Sequence, residues 1–189
     1  AEKKVAEEQR LKAINDAVPI AYAGADQTAY HNARVTLHGT ATDADGDPLT
    51  YRWTQVEGPT VVLNAPGAAT TTFVAPATDT DLRFSLVAND GKVDSAPAYV
   101  VIHVADRAPS VPSVTLNPPA PKRGDTITAT ASAIDADGDS LTYSYSWKRN
   151  GVVVPSVSGD TYSLGDLVKG DQISVTVTVS DGTLTATNT

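Results

Sequence analysis

The chain has 189 residues, 41% hydrophobic and 19% charged, a globular composition that allows one large domain or two small ones. Net charge is -8, the 14 Lys and Arg are scattered and Cys is absent, which excludes a basic nucleic-acid footprint, disulfides, thiolate metal sites and a cysteine nucleophile. The longest apolar run is a few residues, far short of the roughly 20 that a membrane helix needs, so no direct membrane insertion is expected.

Residues 1–17 begin AEKKVAEEQRLKAIND, rich in Ala, Glu, Lys, Gln and Leu, and predict a short exposed helix or linker. The first residue is Ala and no secretory leader precedes it, so a processed form or an excised fragment is expected. Beyond this segment the acids change in kind. Of the 22 acidic residues 18 are Asp, and three of the four Glu lie within the first eight positions. Asp favours turns and oxygen-ligand loops, whereas Glu favours helix surfaces. Abundant Thr suits strands.

The chain then repeats. Asp43-Ala44-Asp45-Gly46-Asp47-Pro48-Leu49-Thr50-Tyr51 returns 92 positions later as Asp135-Ala136-Asp137-Gly138-Asp139-Ser140-Leu141-Thr142-Tyr143, and Asn89-Asp90-Gly91 returns as Ser180-Asp181-Gly182. Two modules are expected, 18–105 and 106–189, joined near Asp106-Arg107-Ala108-Pro109. Within them apolar residues alternate with polar ones, the pattern of half-buried strands. Val35, Leu37 and Ala41 form one such face in the first module. So do Leu82, Phe84, Leu86 and Ala88, and also Val100, Ile102 and Val104. The second module answers with Ile127, Ala129, Ala131 and Ala133, and with Ile173, Val175, Val177 and Val179.

After the Asp-rich loop, Leu49, Tyr51 and Trp53 share a face, as do Leu141, Tyr143, Tyr145 and Trp147. The two inserted residues keep Trp on the same face, where one would have turned it outward. Both Trp are therefore placed in cores. Asn150-Gly151 signals a hairpin, and Asp90-Gly91 and Asp181-Gly182 mark turns before the final strands. The last strand of module two is short beside its counterpart ending at Val104. The fold class that follows is all-β: two tandem Ig-like Greek-key sandwiches behind a short N-terminal helix.

The run DADGDPLTYRWTQVEGPTVVL, with TFVAP and FSLVANDG, resembles the PKD-type repeat of secreted and surface proteins. YSYSWKRNGVVV and ISVTVTVSDG resemble a related bacterial Ig-like or cadherin-like repeat, and Asn15-Asp16-Ala17-Val18-Pro19 resembles cadherin-type linkers. The resemblance implies an extracellular sandwich, used in tandem and often binding calcium. The common W-x-F-G-D-G continuation is absent: Thr54-Gln55-Val56 follows Trp53, and Lys148-Arg149-Asn150 follows Trp147.

Three Asp at alternate loop positions repel one another unless a cation joins them. Calcium takes six to eight oxygens in flexible geometry. An EF-hand is excluded, since Gly is fourth and the twelfth residues are Thr54 and Ser146. The alternative is a polar turn with Asx-type caps and no metal. In a Greek-key sandwich the relevant loops and the incoming linker share one pole. For module one that pole collects Asp43, Asp45, Asp47, Asp90 and Asp16. For module two it collects Asp135, Asp137, Asp139, Asp181 and Asp106. These ten are the candidate Ca2+ ligands, and an ion at the junction would stiffen it.

Of three His, His38 and His103 fall on polar strand phases, and His31 lies in a loop; none has a Ser or carboxylate neighbour at a spacing that announces a triad. Tyr22, Tyr30 and Tyr99 are exposed-aromatic candidates for sugar stacking or edge packing. Lys122-Arg123-Gly124 reads as a solvated turn. The expected role is non-catalytic: a calcium-stabilised spacer or adhesin-type pair in a larger bacterial surface protein. Its partners would be neighbouring domains of the same polypeptide and a cell-surface, polysaccharide or protein ligand. The rival is an accessory substrate-binding module of a secreted hydrolase.

Overall fold

A computed structural model describes residues 3–5 and 16–189. Residues 3–5 are helical, and the chain is out of helix by Asp16; the rest of the expected N-terminal helix lies outside the described residues. Everything after Pro19 is strand, turn or loop. The chain divides into two compact units, Ala1–Ala105 and Asp106–Thr189.

The first unit contains β1 (Ile20–Tyr22), β2 (Gln27–Tyr30), β3 (Arg34–His38), β4 (Thr40–Thr42), β5 (Thr50–Glu57), β6 (Thr70–Val74), β7 (Thr80–Asn89) and β8 (Ala98–Ala105). One sheet runs β2-β8-β7-β5, and the pairs β1-β4 and β3-β6 form the opposing layer. Alternation decides what faces inward. Leu82, Phe84 and Leu86 of β7, Val100 and Ile102 of β8 and Leu37 of β3 are fully buried. Phe73 meets Phe84 across the layers with ring centroids 5.0 Å apart.

Trp53 is buried, and its Nε1 donates to the Ala69 carbonyl at 3.3 Å. Gly39 separates β3 from β4 beneath that ring. A Cβ there would stand 2.3 Å from Leu86 Cδ2 and 2.9 Å from Trp53 Cζ2.

The second unit contains β9 (Ser113–Asn117), β10 (Thr126–Ser132), β11 (Thr142–Arg149), β12 (Val152–Val153), β13 (Thr161–Ser163), β14 (Ile173–Ser180) and β15 (Thr185–Asn188). Its sheets are β13-β10-β9 and β12-β11-β14-β15. Trp147 is fully buried, donates to the Gly159 carbonyl at 2.9 Å and packs on Tyr162.

The inserted pair of residues has a second effect. Trp53 lies opposite Leu86, but Trp147 lies opposite Val175, two cross-strand pairs further from the loop. Ala131 occupies the place that matches Gly39, and β10 runs through it unbroken. Moving the indole along the strand makes room for that methyl group.

Asn150 and Gly151 both have positive φ, 52° and 80°, and close the β11–β12 hairpin as a type I′ turn with Arg149 opposite Val152.

Two features depart from the alternating pattern. β2 adds to the first unit's sheet in parallel with β8. And β8 begins only at Ala98, after Pro97, which has no N–H to give to a ladder.

Candidate functional site

Each unit gathers five Asp at one pole, and the local hydrogen bonds are the same in both. In the first unit the 43–49 loop joins β4 to β5, and the 90–97 loop joins β7 to β8. The pairing of Thr50 with Asn89 sets the two loops side by side. Asp43 Oδ1 accepts the N–H groups of Asp45 (2.9 Å) and Asp47 (3.2 Å). Gly46 provides the positive φ of 72° that this turn requires. Asp90 Oδ1 accepts the N–H groups of Lys92 (2.7 Å) and Val93 (2.8 Å). The incoming chain is fastened too, with Ala17 N–H donating to Asp45 Oδ2 at 2.7 Å.

The second unit repeats this position by position. Thr142 pairs with Ser180. Asp135 Oδ1 accepts from Asp137 (2.8 Å) and Asp139 (3.2 Å), and Asp181 Oδ1 accepts from Thr183 (2.8 Å) and Leu184 (2.7 Å). Arg107 N–H donates to Asp137 Oδ2 at 2.9 Å, the role Ala17 plays in the first unit. By this register Asp106 matches Asp16.

These bonds use one oxygen each of Asp43, Asp90, Asp135 and Asp181. The other oxygens, Oδ2 of Asp43, Asp90, Asp135 and Asp181, are buried without a hydrogen-bond partner. Asp90 as a whole is only 7% exposed. The backbone donors hold Asp90 and Asp181 below the ordinary carboxylate value: for Asp90 chiefly the Val93 N–H, for Asp181 chiefly the Leu184 N–H, each against an opposing push from burial. Both groups are therefore anions near neutrality, each with a buried oxygen left over. A desolvated, unpaired carboxylate oxygen is costly. The same two positions carry it in both units, and a hard oxygen-seeking cation is the partner such donors suit.

Two basic side chains enter the clusters. Lys92 Nζ bridges Asp16 Oδ1 (2.6 Å) and Asp47 Oδ2 (2.8 Å), and its pKa is driven upward, first by the Asp16 bond and then by Asp47. Arg107 places Nε 3.0 Å and Nη2 2.7 Å from Asp137 Oδ1, on a carboxylate whose side chain is fully buried. Sequence reasoning named all ten Asp but neither cation. The signal for Lys92 lay in comparing the copies, where Lys92 stands against Thr183.

Two histidines meet carboxylates that are distant in sequence. His31 is buried, with Nε2 2.9 Å from Asp79 Oδ1, and His103 Nδ1 lies 2.7 Å from Asp81 Oδ1. These partners are 48 and 22 residues away in sequence, so no local spacing announced them. Tyr22, Tyr30 and Tyr99 are exposed, and the Arg83 guanidinium sits 4.2 Å from the Tyr99 ring centroid. Lys122, Arg123 and Gly124 form an exposed turn.

Fold and poles together define a pair of Ig-like sandwich modules with Asp-lined ends. Residues 23–104 match the family model described as K319L-like, PKD domain, and the first unit is a PKD-like module. Chitinase A of Pseudoalteromonas piscicida is 30% identical over 149 residues, which are 78% of this chain and 18% of that protein. The chain thus spans under a fifth of the length of that curated relative. Among solved structures, the PKD domain from KIAA 1837 protein is 22% identical, covering 46% of this chain and 88% of that one, with a TM-score of 0.37. Protocadherin Gamma B2 extracellular cadherin domains 3–6 are 18% identical, covering 92% and 50%, with a TM-score of 0.41.

Proposed function

We propose that the chain is a non-catalytic, calcium-stabilised pair of extracellular modules within a larger secreted or surface-attached bacterial protein, where it acts as a spacer. The observation that carries this is the matched set of buried carboxylate oxygens, on Asp43 and Asp90 in one unit and on Asp135 and Asp181 in the other. Asp47, Asp139, Asp16 and Asp106 stand at the same poles, with Asp45 and Asp137 fastening the incoming chain. An ion bound there ties each module's incoming segment to its own loops, and an affinity of about 10⁻⁴–10⁻³ M suffices outside a cell. Among the described residues no helix is long and apolar enough to cross a membrane. The test is calorimetric titration of metal-stripped protein with calcium chloride: saturable heat, lost in Asp135→Asn and Asp181→Asn, is expected. No heat at millimolar calcium would leave the loops as Asx turns.

A second reading has its own support. The relative named chitinase A favours an accessory module of a secreted hydrolase, one that holds polysaccharide or protein while a neighbouring domain does the chemistry. Sedimentation with insoluble chitin, cellulose and collagen separates the two, because a spacer stays in the supernatant.

A further inference from the structure

We propose that Asn150 is a modification site under structural control: its hydrogen bonds to Asp171 and Gln172 protect it from deamidation, and once deamidated the turn cannot close again. Of the seven Asn in the chain, only Asn150 is followed by Gly. Asn is among the thermolabile residues, and a following Gly has no side chain to shield its own nitrogen from the preceding carboxamide. Both residues are exposed in the β11–β12 turn, and a Cβ built on Gly151 would meet nothing within 4 Å.

The reaction needs only water. The Gly151 nitrogen attacks Asn150 Cγ and a C–N bond forms. The Gly151 proton passes through solvent to Nδ2, which leaves as ammonia. Water then opens the cyclic imide at either carbonyl and restores the N–H. One product is Asp at position 150. The other is isoaspartate, whose main chain runs through the side chain and is one carbon longer.

Three bonds restrain this residue. Asn150 Oδ1 accepts the Gln172 N–H at 2.9 Å, Nδ2 donates to Asp171 Oδ1 at 2.8 Å, and the Asn150 N–H donates to the Gln172 carbonyl at 2.8 Å. Asp171 is itself fixed, its other oxygen taking the Arg149 guanidinium and the Val168 N–H, and its side chain is 7% exposed. Attack requires the carboxamide to leave both partners and turn toward Gly151, so the reaction runs only through local opening. Reclosing then fails. An Asp at 150 puts a carboxylate oxygen where Nδ2 donated to Asp171, and a hydrogen bond becomes a like-charge contact at a nearly buried group. Isoaspartate lengthens a two-residue turn that sets Arg149 opposite Val152.

The test incubates the full chain in neutral buffer and follows position 150 by peptide mass mapping with isoaspartate detection. Wild type is compared with itself in urea and with Asp171→Ala and Asp171→Asn, circular dichroism confirming the fold of each. Folded wild type should deamidate at Asn150 about tenfold to a hundredfold more slowly than the chain in urea, the factor set by one neutral and one charged hydrogen bond. Asp171→Ala should recover about tenfold of that protection. Asp171→Asn, which keeps an oxygen acceptor without the charge, should fall between, and it reads the same effect if Asp171→Ala does not fold. Asn150→Asp, made directly, should melt below wild type, and by less in the Asp171→Asn background, where the like-charge contact is gone. Equal rates in buffer and urea, or a folded rate that neither Asp171 variant raises, would overturn the protection. No deamidation in urea would overturn the reactivity of the site. An Asn150→Asp variant that melts with wild type would overturn the failure to reclose.

Discussion

Asp171 shows how a single carboxylate organises the far end of the second unit. It accepts the Val168 N–H at 2.9 Å, the Asn150 side-chain amide at 2.8 Å and the Arg149 Nε at 2.9 Å. These donors, the Val168 N–H foremost, lower its pKa to about 2 from an ordinary 3.8. A carboxylate lowered on folding adds stability above its unfolded value, and that stability drains away as pH falls through the folded one. The second unit should therefore lose melting temperature progressively between about pH 4 and pH 2, and Asp171→Asn should flatten this part of the profile while lowering the plateau near neutrality. A profile with the same slope in the variant would show that Asp171 is not the group responsible. Asp135 behaves differently, since Asn keeps an oxygen for the Asp137 and Asp139 N–H groups but drops the charge on the buried oxygen. In chelator, Asp135→Asn should melt no lower than wild type; in 10 mM calcium it should melt lower. Identical ranking in both buffers would argue that the pole holds no cation.

The strands carry the clearest lesson about what can be read ahead of the structure. Period-two alternation placed Leu82, Phe84 and Leu86 inward, and the inserted pair of residues kept Trp147 on the face of Trp53, because side-chain direction follows from local backbone geometry alone. Asn150-Gly151 announced its turn for the same reason. The ten Asp were legible through the repeat. The parallel docking of β2 on β8, the His31–Asp79 contact and the Lys92 bridge were not, since each joins segments distant in sequence whose meeting depends on the whole fold. Gly39 belongs to this second kind: in the sequence it is one glycine among thirteen, and only packing shows that Leu86 and Trp53 leave no space for a methyl group. Gly39→Ala should cost about 1–3 kcal/mol through overpacking, read as a lower denaturant midpoint for the first unit. The reverse change, Ala131→Gly, opens a gap without relieving a clash and should also destabilise, by about 0.5–1 kcal/mol. A neutral Gly39→Ala would mean that the indole of Trp53 shifts as freely as that of Trp147.

At the scale of the whole molecule, the two hydrophobic clusters share no residue. One is built on Leu37, Trp53, Phe73 and Phe84, the other on Ile127, Trp147, Leu164 and Val177. Each unit therefore has its own reason to unfold cooperatively, and each has a single Trp in its core as a reporter. Trp53→Phe leaves only the second unit visible by fluorescence, and Trp147→Phe only the first. Ligand binding to the native state alone raises stability by RT ln(1 + [L]/Kd), about 1–3 kcal/mol at 10 to 100 times Kd. For a unit of this size that is a melting shift of roughly 5–20 °C. If both poles hold an ion on their matching buried oxygens, 10 mM calcium should move the transitions seen through Trp53 and through Trp147 by that amount. No shift in either would leave both poles as metal-free Asx turns. A shift seen through one Trp alone would confine the ion to that unit's pole and show that the same loop hydrogen bonds in the other unit serve as a polar turn without metal.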